Sequence, residues 1–254
     1  MREKDKLISY AIKYNGSYDR IKYAISSRED IREIKCDNCI TIFDDEYPRK
    51  FLDLKDPPFV LFYKGDISLL KESSIGVVGS RRPCDYSLAA TKLLALNNKD
   101  RVIVSGLARG IDGMAHKYAY KSIGVLGCGI DYIYPKENEY LYKRLEKEGL
   151  IISEYPFNTV PFPYNFPFRN RIIAALSDEI YIMEAHEKSG TLTTINAALE
   201  LGKDIKVLPF DIFKKEGEYN NYLISEGASI INIEDLINNH INWQVLMFCV
   251  KLYI

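Results

Sequence analysis

The chain has 254 residues, of which 47% are hydrophobic and 27% charged, and its formal net charge is −1. This composition is typical of a soluble globular protein, and the length allows one large buried core. The near-zero charge excludes a uniformly basic surface, so binding of nucleic acid would need a local basic patch.

Neither a membrane-spanning run of about 18 apolar residues nor a secretory signal is apparent in the sequence. The start, MREKDKLISYAIKY, has no apolar secretory core. We therefore expect a cytoplasmic protein without membrane contact.

The first part of the chain, residues 1–45, shows helical spacing of apolar residues and no strand pattern, which predicts a short helical segment. Cys36 and Cys39 in this part form a CxxC, a pattern found in redox pairs and in half of a zinc site. No second CxxC or close Cys/His pair follows, and five free thiols suit a reducing compartment. We therefore expect neither a metal site nor a redox centre.

The next stretch, residues 47–66, is marked by prolines and is predicted to connect to a sheet. From about residue 75, short β-rich runs alternate with segments of helical spacing. The predicted strands are 75–79, 101–105, 122–127, 150–154, 179–184 and 205–209.

This alternation predicts an α/β fold of extended Rossmann-like, doubly wound type, with a mostly parallel sheet covered by helices on both faces. We assign residues 46–237 to this domain and residues 238–254 to an apolar C-terminal tail. Ligands of such sheets bind at the carboxyl ends of the strands, so the loops there are the candidate site.

The loop after the first predicted strand reads GSRRP. Gly79 permits close backbone approach, Ser80 offers a hydroxyl, and Arg81 and Arg82 supply forked cationic donors. Backbone amides at a strand-to-helix turn form an anion-binding nest. This loop is therefore predicted to bind an anionic group.

The loop after the second predicted strand starts at Ser105 and contains Gly106, Arg109 and Gly110. The glycines are expected to free the backbone to wrap a phosphate or sugar, and Arg109 either contacts that group or braces the loop. In the helix that follows, Asp112 is a candidate cap.

The stretch NFPFRNR begins a later predicted helix and interleaves aromatic and basic side chains. Such interleaving fits single-stranded nucleic acid, with arginines on phosphates and rings on bases. The alternative is that the rings belong to the core and the arginines pair with acidic residues. The candidates in this stretch are Phe166, Phe168, Arg169, Asn170 and Arg171.

The fourth candidate loop, EAHEKSGTLTT, follows the strand that ends at Glu184. Ser189, Gly190 and Thr191 open a helix, whose amino-terminal amides form a phosphate seat with Lys188 beside them. The order of residues is not that of a Walker A loop, and GCGIDY has Tyr132 where a dinucleotide fingerprint needs glycine. ATP-binding P-loop proteins and NAD-dependent dehydrogenases are therefore excluded.

Taken in order, the motifs of this chain resemble those of the DprA/Smf family of DNA-processing proteins, over about residues 46 to 236. The motifs that carry the resemblance are VVGSR, SGLARGIDGMAH, LGCGIDYIYPKEN, ISEYP, FPFRNRIIAALSD and EAHEKSGTLTT, the last followed by NAALELGKD.

The resemblance implies a homodimer that binds single-stranded DNA, loads RecA recombinase onto it during natural transformation, and needs neither a cofactor nor catalytic turnover. The family's phosphate pocket then corresponds to Gly79, Ser80, Arg81, Ser105, Gly106, Arg109, Gly110, Arg169, Asn170, Arg171, Lys188, Ser189, Gly190 and Thr191.

The chain also departs from the family pattern. Phe210 follows Leu208 and Pro209 where the family usually has V-P-G, and Tyr219 replaces a glycine. The amino-terminal helical part is reduced, and no winged-helix domain is expected after residue 240. The contacts that those regions make with partners are therefore open, and the apolar segment around Leu223, Ile224 and Leu236 is the candidate dimer interface.

The sequence thus predicts a non-enzymatic, single-stranded DNA-binding protein of recombination-mediator type. Arg81→Ala and Arg169→Ala are expected to weaken binding of any DNA sequence alike. One alternative on the same fold is a nucleotide-binding protein or a nucleotide N-glycosidic hydrolase that uses Glu184, although EKSGT has one glycine where those enzymes have PGGxGT. The other is an interaction module in which the loops are inert.

Overall fold

The computed structural model describes residues 1–237, which fold around one nine-stranded sheet. The strands are β1 (Cys39–Thr41), β2 (Val60–Gly65), β3 (Ser74–Gly79), β4 (Val102–Ser105), β5 (Ser122–Leu126), β6 (Leu150–Ser153), β7 (Glu179–Glu184), β8 (Asp204–Val207) and β9 (Ser229–Ile230). The helices are α1 (Glu3–Lys13), α2 (Tyr18–Ser26), α3 (Asp85–Asn97), α4 (Ile111–Tyr118), α5 (Glu139–Glu148), α6 (Asn165–Leu176), α7 (Thr191–Glu200), α8 (Glu218–Ser225) and α9 (Ile233–Leu236).

The strand order is β1-β2-β6-β5-β4-β3-β7-β8-β9. The run from β6 to β9 is parallel, whereas β2 is antiparallel to both β6 and β1. The six strands predicted from the sequence are all present, and the α/β, Rossmann-like, doubly wound fold is confirmed. Their near-continuous apolar runs are buried on both faces, as a parallel sheet requires.

Two predictions about the amino-terminal part were wrong. The predicted connector at 47–66 contains β2, and the segment 1–45, predicted without strands, contains β1. Val60, Leu61 and Phe62 are buried in β2, and the edge of β6 supplies its hydrogen-bond partners. The prolines before β2 restrict only its entry, so they do not argue against a strand. The domain boundary at residue 45 stays a prediction, and the predicted tail 238–254 lies outside the described residues.

Helices cover both faces of the parallel strands. Val78 of β3 joins the cluster that contains Ile173 of α6 and Ile195 of α7. The neighbouring Val77 joins the cluster on the other face, with Leu94 of α3 and helix α4. Successive side chains of a strand point to opposite faces, so this single strand anchors both helical layers.

The winding of the sheet reverses at β3. The chain runs from β3 outward through β4, β5 and β6, and then returns to place β7 on the other side of β3. Loops that leave the sheet in opposite directions separate at such a point and leave a crevice at the carboxyl ends of the strands. Within residues 1–237, no helix is both long and apolar enough to cross a membrane.

Candidate nucleic-acid interface

A cleft of about 680 Å³ lies at the carboxyl edge of the sheet, where the winding reverses. All four loops predicted from the sequence contribute to its wall. Its lining includes Gly79, Ser80, Arg81, Arg82, Ala108, Asp112, Tyr134, Pro161, Pro163, Phe166, Arg169, Asn170, His186, Ser189, Gly190 and Thr191. The sheet topology therefore brings together segments that are more than 100 residues apart in the chain.

The loop after β3 supplies the free positive charge of the cleft. Arg81 and Arg82 are exposed, and neither has an acidic partner among residues 1–237. The Arg81 guanidinium lies 5.6 Å from the centroid of the Phe166 ring. Ser80 is buried, and its hydroxyl accepts a hydrogen bond from the Arg82 amide at 3.1 Å. The two guanidinium groups are thus held at the cleft without being neutralised.

The glycines of the loop after β4 serve the packing of the protein itself. A Cβ at Gly106 would lie 2.6 Å from Nη2 of Arg169 and 2.7 Å from Oδ2 of Asp112. Gly110 has φ +72°, and a Cβ there would lie 2.3 Å from the Ser80 carbonyl oxygen. Protein groups therefore already require glycine at both positions, and the predicted contact of these glycines with a phosphate or sugar stays a prediction.

This loop is held by two buried polar side chains. The Asp112 Oδ2 accepts hydrogen bonds from the amides of Gly106 at 3.1 Å and Ala108 at 3.4 Å, so it closes the loop instead of capping α4. The Asn138 Nδ2 donates to the carbonyls of Leu107 at 3.0 Å and Ala108 at 2.8 Å. Sequence reasoning missed Asn138 because an asparagine before a helix is common and carries no sign of its distant partners.

Two other candidates of this loop are engaged in internal contacts. Ser105 is fully buried and donates to the Val77 carbonyl at 2.6 Å, so the structure does not bring its hydroxyl into the cleft. The Arg109 side chain is 57% exposed and forms an ion pair with Glu137 at 2.5 Å. Of the two roles predicted for Arg109, this geometry favours bracing the loop.

Arg169 of α6 is buried, with 4% of its surface exposed. Its Nη1 donates to the carbonyls of Gly106, at 3.0 Å, and Val125, and its Nε donates to Oδ1 of Asn170 at 3.0 Å. Burial lowers the pKa of the guanidinium, and the negative charge of Asp112 opposes that shift. Arg169 therefore ties the loop after β4 to the end of β5.

Arg171 and Phe168 lie outside the cleft lining, in contrast to the expected contact with DNA. The Arg171 guanidinium makes a bidentate pair with Glu154, at 2.6 and 2.7 Å, and lies 3.7 Å from the Phe168 ring centroid. The Phe168 ring in turn contacts Tyr18 of α2. For Arg171 this is the alternative in which the arginine pairs with an acidic residue, whereas Phe168 is half-buried and does not belong to the core.

Asn170, the neighbour of Arg169, connects α6 to the start of α7 through its side-chain amide. Its Nδ2 donates to the Gly190 carbonyl at 3.1 Å and to Oγ1 of Thr193 at 2.7 Å. Asn170 therefore positions the fourth loop, and its predicted contact with DNA stays a prediction.

The fourth loop forms an open anion seat at the start of α7. A Cβ at Gly190 would have no heavy atom within 4 Å, so the backbone there faces open space. The Oγ of Ser189 is buried and has no hydrogen-bond partner among residues 1–237. In the first turn of α7 the amides of Leu192 and Thr193 donate to the carbonyls of Ser189 and Gly190, at 3.2 and 3.3 Å, so the helix adds to the seat the partial positive charge of its amino terminus. Lys188 is exposed beside this seat but does not line the cleft.

Glu184, which the hydrolase alternative requires, is buried behind the cleft wall, and its Oε1 lies 3.5 Å from Nε2 of the cleft-lining His186. It is 1% exposed, and its Oε2 accepts from the Cys84 amide at 2.9 Å and from Oγ of Ser87 at 2.8 Å. The carboxylate thus anchors the start of α3 and is not among the cleft-lining groups.

The CxxC does not belong to a metal cluster in the described part of the chain. The Cys39 thiol donates to the Cys36 carbonyl at 3.3 Å. No group of three or more His, Cys, Asp or Glu residues within 1–237 is arranged to hold a metal ion.

The buried His116 predicts a dependence of stability on pH. Its Nδ1 contacts the Ser122 hydroxyl, and burial lowers its pKa to about 3. The unfolded chain binds a proton near pH 6.5, whereas the folded chain does not until near pH 3. Stability from this group is therefore present above pH 6.5 and is lost as the pH falls, by about 2 kcal/mol at pH 5.

Urea unfolding at pH 8 and pH 5 tests this dependence. Between pH 8 and pH 5, we expect the free energy of unfolding of His116→Gln to fall by about 2 kcal/mol less than that of the parent protein. Equal losses in both proteins would assign the pH dependence to other groups.

Comparisons with known proteins find relatives that match most of this chain. The family model of DNA recombination-mediator protein A matches residues 38–241. The chain is 41% identical over 207 residues to the DNA processing protein DprA of Bacillus subtilis, covering 78% of this chain and 70% of that protein.

Two solved structures are similar over most of this chain. DNA processing protein A of Streptococcus pneumoniae has a TM-score of 0.76 at 30% identity, and the match covers 92% of this chain and 95% of the other. DNA processing protein A of Helicobacter pylori, which binds single-stranded DNA, has a TM-score of 0.70 at 34% identity, with 84% and 96% covered.

Proposed function

Since this chain belongs to the family of DNA recombination-mediator protein A, the DprA/Smf family, we propose that it binds single-stranded DNA in the cleft at the carboxyl edge of its sheet. One observation carries the proposal. The same cleft is lined by two guanidinium groups without an acidic partner among residues 1–237, those of Arg81 and Arg82, and by the open seat at Gly190. Guanidinium groups and the positive end of a helix dipole both favour phosphate.

The cleft favours a single strand over a duplex. The start of α6 places the Phe166 ring in the cleft, and the Tyr134 ring lies 5.6 Å from it. Aromatic rings stack on bases that a single strand exposes and a duplex hides. Helices α6 and α7 begin at the cleft wall, where their first residues are part of the lining, and this arrangement offers a phosphate cradle in place of a helix for the major groove.

The protein acts in this proposal as a cytoplasmic homodimer without catalytic turnover, and it delivers the bound strand to RecA recombinase. Family membership supports these finer points. Light scattering of the purified protein tests the dimer. The rate at which RecA assembles on single-stranded DNA, with and without the protein, tests the delivery.

Fluorescence anisotropy with labelled oligo-dT and with a duplex of the same length tests the central claim. We expect preferential binding of the single strand and a linear fall of log K with log salt concentration. Two to three phosphate contacts predict a slope of about −1.4 to −2. A folded protein that leaves the anisotropy of oligo-dT flat at low salt would overturn the proposal.

A further inference from the structure

The segment before α6 exposes two aromatic rings in parallel. Phe162 is 42% exposed and Tyr164 is 69% exposed. Their ring centroids are 5.4 Å apart, and their planes differ by 8°. This stacked pair does not belong to the hydrophobic core, and no role in the fold explains its exposure.

The position of this pair relates it to the cleft. Pro161 and Pro163, which alternate with the two rings along the chain, line the cleft. Asn165 is buried, and its backbone N–H donates to the Phe162 carbonyl at 3.0 Å, which fixes the segment against the start of α6. The pair therefore sits at the rim, in chain continuity with Phe166 inside the cleft.

The local backbone holds the pair in place before a ligand arrives. Proline fixes its own φ and restricts the residue before it, so Pro163 limits the backbone of Phe162, and both neighbours of Phe162 have a fixed φ. A preordered ring loses little entropy when a ligand stacks on it.

We propose that Phe162 and Tyr164 form a base-stacking platform at the rim of the cleft, which takes bases of the single strand whose phosphates the cleft holds. This inference rests on the proposed function. The charge near the pair indicates a nucleic acid as the ligand. Arg81 and the seat at Gly190 attract an anionic chain, and the two rings offer π-faces on which its bases can stack. Stacking also tolerates any base, so the platform adds affinity without sequence preference.

The double variant Phe162→Ala/Tyr164→Ala tests the platform with two labelled probes, oligo-dT and an abasic oligonucleotide of the same length. We expect the parent protein to bind oligo-dT more tightly than the abasic strand. The double variant is expected to lower the affinity for oligo-dT by about 10- to 100-fold and to leave the abasic strand unaffected.

Tyr120→Ala is the matched control, since Tyr120 is 52% exposed and precedes β5, at the opposite edge of the sheet. It is expected to bind both probes as the parent does. Circular dichroism confirms that each variant is folded.

Three results would overturn the platform. The parent protein could bind both probes equally with a normal salt dependence, in which case the cleft proposal stands without the platform. The double variant could keep the full preference for oligo-dT, or it could lose affinity for both probes alike. Absence of binding to either probe by the parent protein would instead overturn the proposed function.

Discussion

Replacement of Arg169 by alanine is expected to lower the free energy of unfolding by about 3–5 kcal/mol. The guanidinium is buried and bridges the carbonyls of Gly106 and Val125. Alanine removes the donor that these two acceptors share at the wall of the cleft. It also removes the positive charge beside the buried carboxyl of Asp112, whose pKa burial already raises.

Urea unfolding followed by circular dichroism measures this loss. Arg109→Ala is the control, because the Arg109–Glu137 pair is exposed and is expected to contribute about 0–1 kcal/mol. If Arg169→Ala kept its full stability and lost only DNA binding, Arg169 would act as a phosphate ligand, as the sequence by itself predicts.

The double charge reversal Arg81→Glu/Arg82→Glu is expected to weaken binding of oligo-dT by at least about 100-fold. Both side chains are exposed at the cleft and have no acidic partner among the described residues, so their charge is available to phosphates. The slope of log K against log salt should become shallower by about 1.4, since each phosphate contact to a single strand contributes about 0.7. Stability should stay within about 0.5 kcal/mol, because exposed side chains without partners contribute little to folding.

Anisotropy titrations at three salt concentrations compare this variant with Arg81→Ala, Arg82→Ala and Arg109→Ala. The two single variants at 81 and 82 should each weaken binding of every DNA sequence similarly, since phosphate contacts carry no sequence information. Arg109→Ala should bind more tightly than either, because Glu137 already neutralises that guanidinium. Binding by the double reversal that equals that of the parent would place the DNA elsewhere.

Local patterns in the sequence determined the sheet and the place of the site. Runs such as IGVVG and EIYIME are apolar throughout, because strands of a parallel sheet are buried on both faces. Loops that follow parallel strands meet at one edge, so the candidates after β3, β4 and β7 could be assigned to one cleft before any coordinates. Strand β2 was missed because the prolines before it dominate the local pattern.

The roles of individual arginines were decided only by the tertiary structure. Three arginines of the candidate loops carry the same charge and follow a glycine or an aromatic residue within a few positions in the sequence, yet their surroundings in the fold differ. They are Arg81, Arg169 and Arg171. Arg169 meets a carbonyl 63 residues away, and Arg171 meets a carboxylate 17 residues away, whereas Arg81 remains open to the cleft.

The same holds for the glycines. Gly106 is required by the close approach of Arg169 and Asp112, whereas Gly190 faces open space. Periodicity and residue type indicate which secondary structure a short segment forms and which groups its side chains offer. Which charge is neutralised and which backbone atom is covered depend on partners that only the folded chain brings together.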